Sequence, residues 1–149
     1  MNREDLARDY FKQGYNCAQS VALAFSDALG MDEQTILKCV SSFGGGMGRL
    51  REVCGTVSGM FFVLGALRGY SDPKDAEGKK RLYAEVQELA ERFRRDNGSI
   101  VCRELLGVGG AEPPVPAART GEYYKKRPCA ELCAYAAGIL AEKLALNER

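Results

Sequence analysis

Hydrophobic residues recur every three or four positions along most of the chain, which is the spacing of amphipathic helices. Val21, Ala22, Phe25 and Leu29, for example, follow one helical face. In chain order, the predicted segments run up to Gly14, from Asn16 to Gly30, from Asp32 towards Phe43, from about Cys54 to Gly69, from Asp72-Pro73 to Asn97-Gly98, from Ser99 to Leu106, and from Pro128 onward.

Residues that start and stop helices lie at the ends of these segments. Asn16 and Asp32 are candidates for the N-cap, and Gly30 supplies a stop. At Asp72-Pro73 a proline occupies the first helical position, where it is favoured. No alternating strand pattern extends beyond a few residues, and no internal repeat is present. The sequence therefore predicts one all-α domain over residues 1–149, an irregular helical bundle.

Two loops interrupt the helices. The three adjacent glycines Gly44, Gly45 and Gly46 disfavour continued helix, and the segment 107–120, rich in proline and glycine, is predicted to be a surface loop. The glycine loop lacks the Gly-Lys-Ser/Thr ending of a P-loop and follows no strand, which argues against nucleotide binding. We expect it instead to let backbone pass close to Cys54 or a cofactor, with Arg49 beside the same site.

Composition narrows the function. The 149 residues carry a net charge of +1 and contain no histidine. A weak net charge gives no reason to expect nucleic-acid binding, and the missing histidine excludes Ser-His-Asp and Cys-His catalysis and histidine-ligated metals. The longest apolar run is too short to span a bilayer, and the N-terminus lacks the apolar core of a secretory signal. We therefore expect a cytoplasmic protein without a membrane segment, a setting in which structural disulfides are rare.

Four of the six cysteines, Cys17, Cys54, Cys102 and Cys129, lie at predicted helix starts. Free N–H groups and the helix dipole there stabilise negative charge, so we expect lowered pKa values for these thiols. Together they could ligate an iron–sulfur cluster. However, their spacing matches no Cys-x-x-Cys pair, and a free cysteine often serves as a small apolar core residue, so that alternative stays open for each.

Cys39 and Cys133 differ from these four. Cys39 falls late in its helix and Cys133 lies beside Leu132, so we expect both to pack in the core. Cys133 also shares a helix face with Cys129, four residues earlier, and could act as a substitute or resolving thiol.

Three segments together resemble the motifs of the C_GCAxxG_C_C family of redox-active proteins. They are Gly14-Tyr-Asn-Cys-Ala-Gln-Ser-Val21, Ser42-Phe-Gly-Gly-Gly-Met-Gly-Arg49 and Cys54-Gly-Thr-Val-Ser-Gly59. The similarity extends over nearly the whole chain, and it implies that the family's four cysteines correspond to Cys17, Cys54, Cys102 and Cys129. Thr56 stands where the motif usually has alanine, which adds a hydroxyl near the site.

The first hypothesis is an electron-transfer protein that binds an iron–sulfur cluster through the four cysteines, with Gly45, Gly46 and Arg49 beside it. This hypothesis requires a redox partner protein, and the cysteines meet either within one subunit or across a homodimer interface. A thiol–disulfide oxidoreductase is the second hypothesis. A helical interaction module, with zinc or with no metal, is the third.

Overall fold

The computed structural model describes residues 1–148, and it confirms the all-α class: no β-strand forms among them, and extended pairing is limited to isolated bridges. The helices, numbered in chain order, are α1 (Arg3–Lys12), α2 (Cys17–Leu23), α3 (Ser26–Leu29), α4 (Glu33–Val40), α5 (Gly44–Met47), α6 (Gly55–Arg68), α7 (Ala76–Asn97), α8 (Cys102–Leu106), α9 (Gly121–Lys126) and α10 (Cys129–Leu144), with a 3-10 turn at Ser41–Phe43.

Local signals placed several helix ends correctly. The Asn16 side chain accepts a hydrogen bond from the Gln19 N–H at 2.9 Å, and the Gln19 side chain accepts one from the Asn16 N–H at 3.1 Å. This reciprocal pair is a capping box at the start of α2. Asp32 caps α4 through the Thr35 N–H, and α3 ends at Gly30, which adopts the left-handed conformation.

Other predicted boundaries were wrong. The helix expected from Asn16 to Gly30 breaks into α2 and α3 around Phe25, where the Arg3 guanidinium takes the Ala24 carbonyl as an acceptor. The long helix α7 starts after Asp75, which caps it, and Pro73 lies in the preceding turn.

The segments on either side of the proline-rich loop also differ from expectation. Ser99 does not cap α8; its hydroxyl accepts from the Val101 N–H, and the helix begins at Cys102. Residues 107–120 form a loop as predicted, but the short helix α9 that follows it was not predicted.

The core lies between α1, α2, α6 and α10, and α10 packs against each of the other three and against α7. Gly59 permits the contact of α6 with α2, because a Cβ at this position would lie 2.7 Å from the Ala18 carbonyl oxygen. Across residues 1–148, every helix is either too short or too polar to cross a lipid bilayer.

A buried arginine joins the N-terminal and C-terminal segments of the chain. Arg3 is 2% exposed, and its guanidinium donates to the carbonyls of Leu146 (2.7 Å), Ala24 (2.9 Å) and Glu148 (3.1 Å). It also forms an ion pair with Asp27 at 2.5 Å. These contacts hold α1 against the segment that follows α10.

Candidate functional site

Four helix starts meet around one cavity. Cys17, Cys102 and Cys129 are the first residues of α2, α8 and α10, and Cys54 is the N-cap of α6. All four line a cavity of about 60 Å³, which we call the cysteine cavity. The four cysteines thus meet within a single chain.

Backbone pairing sets Cys54 and Cys102 side by side. Val53 and Val101 form an antiparallel bridge. The Cys54 N–H donates to the Ile100 carbonyl at 2.8 Å, and the Cys102 N–H donates to the Glu52 carbonyl at 2.5 Å. The short extended segments before α6 and α8 therefore deliver both cysteines to the same side of the cavity.

Cys17 and Cys129 also line the cavity, and their thiols lie close enough for each to shift the pKa of the other. Cys133, one turn further along α10, is fully buried, as predicted, and its thiol contacts the Cys17 carbonyl at 3.8 Å. The thiol of Cys54 lies 3.2 Å from the Thr56 hydroxyl. The expectation that Thr56 brings a hydroxyl to the site is therefore confirmed.

Glycines allow backbone to approach two of the cysteines closely. A Cβ on Gly46 would lie 2.6 Å from the Cys102 Cβ, and one on Gly55 would lie 3.0 Å from the Cys17 Cβ. The glycine loop was expected to pass Cys54, but Gly46 covers Cys102 instead. Gly46 also has a φ of 68°, which only glycine adopts without strain.

The chain directly after Gly46 is strained. Met47, Arg49 and Arg51 have φ values of 68°, 70° and 60°, in the left-handed region that non-glycine residues seldom occupy. Such strain concentrates at functional sites, where the surrounding structure enforces it. Here it turns the Arg51 guanidinium inward, and Arg51 Nη1 donates to the Cys102 sulfur at 3.5 Å.

The prediction that the helix-start thiols have lowered pKa values was wrong. Burial raises the pKa of Cys54 to about 11, although its contact with Thr56 acts in the opposite direction. Burial likewise raises the pKa of Cys102 against the effect of Arg51. The hydrogen bond with Cys17, together with burial, raises the pKa of Cys129. For Cys17, the interaction with Cys129 lowers the pKa. The interaction with Cys133 and burial raise it by more, so that the pKa of Cys17 lies above its usual value. Loss of hydration therefore outweighs the helix termini.

Two other predicted residues lie outside the cysteine cavity. Cys39 is exposed, contrary to the expectation of core packing, because Ile36 and Val40 form the buried face of α4. Arg49 lines a neighbouring cavity, whereas Gly45 and Gly46 line the cysteine cavity itself.

Sequence reasoning missed the residues that α9 and its flanks contribute. Arg119, Tyr123 and Arg127 line the cysteine cavity beside Cys129. The Arg119 guanidinium lies 4.2 Å above the Phe11 ring and donates to the Phe11 carbonyl at 3.0 Å. No local signal in the sequence could place these residues, because they reach the site through tertiary packing alone.

The thiols surround a space instead of converging on a point. Among residues 1–148, no group of three or more cysteine, aspartate or glutamate side chains is arranged to hold a metal ion. The cavity volume is about 60 Å³. One water molecule needs about 10–15 Å³ measured in this way, so the cavity has room for more than one atom.

Comparison with known proteins gives one match. The family model described as "Putative redox-active protein (C_GCAxxG_C_C)" matches residues 15–143, which include all four cavity cysteines. Neither the curated proteins nor the solved structures give a match.

Proposed function

The chain belongs to the C_GCAxxG_C_C family of redox-active proteins, and on that premise we propose that it transfers electrons through an iron–sulfur cluster ligated by Cys17, Cys54, Cys102 and Cys129. The observation that carries the proposal is the convergence of four thiols, each from a different helix start, on one buried cavity. When bound, such a cluster supplies one-electron exchange.

The arrangement of the donors supports a cluster over a single ion. A tetrahedral zinc site needs four ligands about 2.3 Å from one point. In a cluster the thiolates bind different irons, so that the sulfur atoms surround a volume. The four cysteines line the wall of one cavity, which favours the second arrangement.

The charges around the cavity also support the proposal. Arg51, Arg119 and Arg127 line it together with the cysteines, and their positive charges act on the thiols of Cys102 and Cys129. A cluster with four thiolate ligands is negatively charged, and the guanidinium groups offset that charge. The protein side of the site would then orient the ligands, exclude water and stabilise the anionic centre, and a redox partner protein would exchange electrons with it.

A thiol–disulfide oxidoreductase remains the second candidate, because Cys17 and Cys129 line the same cavity and lie close enough for each thiol to shift the pKa of the other. In that reaction the two thiols form one S–S bond. They release two protons and pass two electrons to an oxidised disulfide substrate, which is reduced to two thiols.

Anaerobic purification followed by an absorption spectrum and by iron, sulfide and zinc analysis tests the proposal. We expect visible charge-transfer bands with matched iron and sulfide, lost when any one of the four ligands is changed to serine. Cys39→Ser is the matched control, because Cys39 is exposed and lies outside the cavity. Protein that stays colourless and iron-free after anaerobic reconstitution refutes the cluster.

The same samples separate the alternatives. Loss of two hydrogens on mild oxidation, abolished by Cys17→Ser or Cys129→Ser but not by Cys102→Ser, supports the disulfide cycle. One equivalent of zinc, with no effect of redox potential on folding, supports the zinc-bound interaction module.

A further inference from the structure

A second, larger cavity lies directly outside the cysteine cavity. It measures about 270 Å³, just below the range of about 300–1,000 Å³ for ligand pockets. We call it the arginine basin, because Arg49, Arg51, Arg119 and Arg127 all line it. The two cavities share the residues Asn16, Gly45, Arg51, Arg119, Tyr123 and Arg127.

Positive charge in the basin is only partly compensated. Glu112 pairs with Arg51 at 2.5 Å and with Arg49 at 3.4 Å, and these arginines hold the pKa of Glu112 below its usual value, Arg51 most strongly. Arg119 and Arg127 form no ion pair with any carboxylate in residues 1–148. Four guanidinium groups thus face one carboxylate.

The two arginines that form no ion pair, Arg119 and Arg127, contact the same aromatic ring. Both guanidinium groups lie against the ring of Tyr123, with centroid distances of 5.0 Å for Arg119 and 5.3 Å for Arg127. Arg119 is fixed further by the carbonyls of Phe11 and Tyr15. Like charges that line one cavity repel each other, so an anion bound in the basin would stabilise the arrangement.

We propose that the arginine basin binds a small organic anion through its carboxylate or phosphate group. Arg49, Arg51 and Arg119 already donate to groups of the protein, whereas the Arg127 guanidinium makes no side-chain hydrogen bond within residues 1–148 and can donate two parallel hydrogen bonds to either group. Pro114, Pro116 and Ala117 provide an apolar wall on which the carbon part of the ligand packs. A bound anion lies next to the cysteine cavity, where the redox centre can act on it or respond to its charge.

Neutralising the charge of the cysteine cavity does not account for the whole basin. Arg51, Arg119 and Arg127 face both cavities, but Arg49 and the proline wall face only the basin. The basin also has more than four times the volume of the cysteine cavity. These features indicate that the arginine basin binds a separate ligand, whether or not the cysteines hold a cluster.

Calorimetric titration of the full chain with succinate and with inorganic phosphate, at fixed ionic strength, tests the proposal. Uncharged succinamide is the ligand control. We expect saturable binding of an oxyanion, accompanied by NMR shifts of the Gly45 and Gly48 amides, and no binding of succinamide. Arg127→Gln should weaken binding about tenfold, as expected for one charge-assisted hydrogen bond.

Arg95→Gln is the matched control: it removes the same charge from an exposed position on α7 and should leave binding unchanged. Arg127→Lys keeps the positive charge but loses the planar guanidinium group. Its affinity for the oxyanion should therefore lie between that of the unchanged protein and that of Arg127→Gln. Absence of saturable binding by both oxyanions overturns the proposal. So does an equal loss in Arg95→Gln, or tighter binding of a polyglutamate peptide than of succinate, which would assign the basin to an acidic protein partner.

Protein with and without metal is titrated in parallel. Saturable, Arg127-dependent binding in either form supports the basin proposal, whatever the metal analysis shows. The two proposals can therefore fail separately.

Discussion

Replacing Gly46 by alanine should destabilise the protein far more than the same replacement at Gly48. Both glycines have positive φ values, 68° for Gly46 and 62° for Gly48. An alanine at either position must adopt the left-handed conformation, which lowers the free energy of unfolding by about 1 kcal/mol. The surroundings differ. A Cβ on Gly46 meets the Cys102 Cβ at 2.6 Å and the Arg51 Cα at 2.9 Å, whereas one on Gly48 meets only the Ser42 carbonyl oxygen, at 3.9 Å.

The contact with Cys102 adds a packing term at Gly46 alone. Overpacking of this kind costs about 1–3 kcal/mol. The expected loss in the free energy of unfolding is therefore about 3 kcal/mol for Gly46→Ala and about 1 kcal/mol for Gly48→Ala. Urea denaturation followed by circular dichroism measures both losses. All proteins are compared metal-free, because a bound metal would shift the stability of each variant by its own amount.

Alkylation mapped by mass spectrometry provides a second readout. Gly46→Ala should expose Cys102 and speed its modification, and Gly48→Ala should not. Equal losses of stability in the two variants, with unchanged Cys102 reactivity, would refute the close packing of the glycine loop on this cysteine.

Four further outcomes are expected. Arg3→Met should cost about 2–3 kcal/mol in a denaturation experiment, because it removes a buried guanidinium that donates to three backbone carbonyls and pairs with the partly exposed Asp27. Arg8→Met, whose partner Glu131 is exposed, should cost under about 1 kcal/mol, and equal costs would contradict the buried position of Arg3. In native, metal-free protein Ellman's reagent should modify Cys39 first, and Cys39→Ser should abolish the fast phase. Metal-free protein should lose stability as the pH rises from 9 to 11, and about 2–3 kcal/mol of the loss comes from Cys54, which ionises near pH 9 unfolded but near pH 11 folded; Cys54→Ala should show a loss smaller by about this amount. Asn16→Ala removes a capping box and should cost about 1 kcal/mol by urea denaturation, and no change would contradict the cap.

Helix ends could be predicted wherever one residue determines them. Asn16 and Asp32 satisfy N–H groups within their own first turn, so the local sequence is sufficient to identify them. Pro73 misled because a stronger cap, Asp75, lies two residues later. The break at Phe25 was invisible to local reasoning, since Arg3 makes the relevant contact from another helix.

In the candidate site too, features that depend on local sequence could be predicted, and features that depend on tertiary packing could not. Cys17, Cys54, Cys102 and Cys129 lie at helix starts as predicted, and the start at Cys17 follows from its neighbour Asn16, whereas the cap predicted for Cys102, Ser99, was wrong. Their raised pKa values were not predicted, because they depend on burial by the whole fold. Arg119 reaches the site from a loop that carries no signal of its own, and the exposure of Cys39 depends on which face α4 turns to the core.

The order of the cysteines along the chain constrains when the cavity can be filled. Of the four cavity cysteines Cys129 comes last, and it begins α10, whose most extensive packing is with α1 at the other end of the chain. During synthesis the N-terminal helices leave the ribosome first, so the cavity lacks one wall until α10 has emerged and docked. Contacts between such distant segments also form slowly. Under the proposed function, a cluster would therefore be inserted only after most of the chain has been synthesised, and three thiols would have to stay reduced and free of other metals until the fourth arrives.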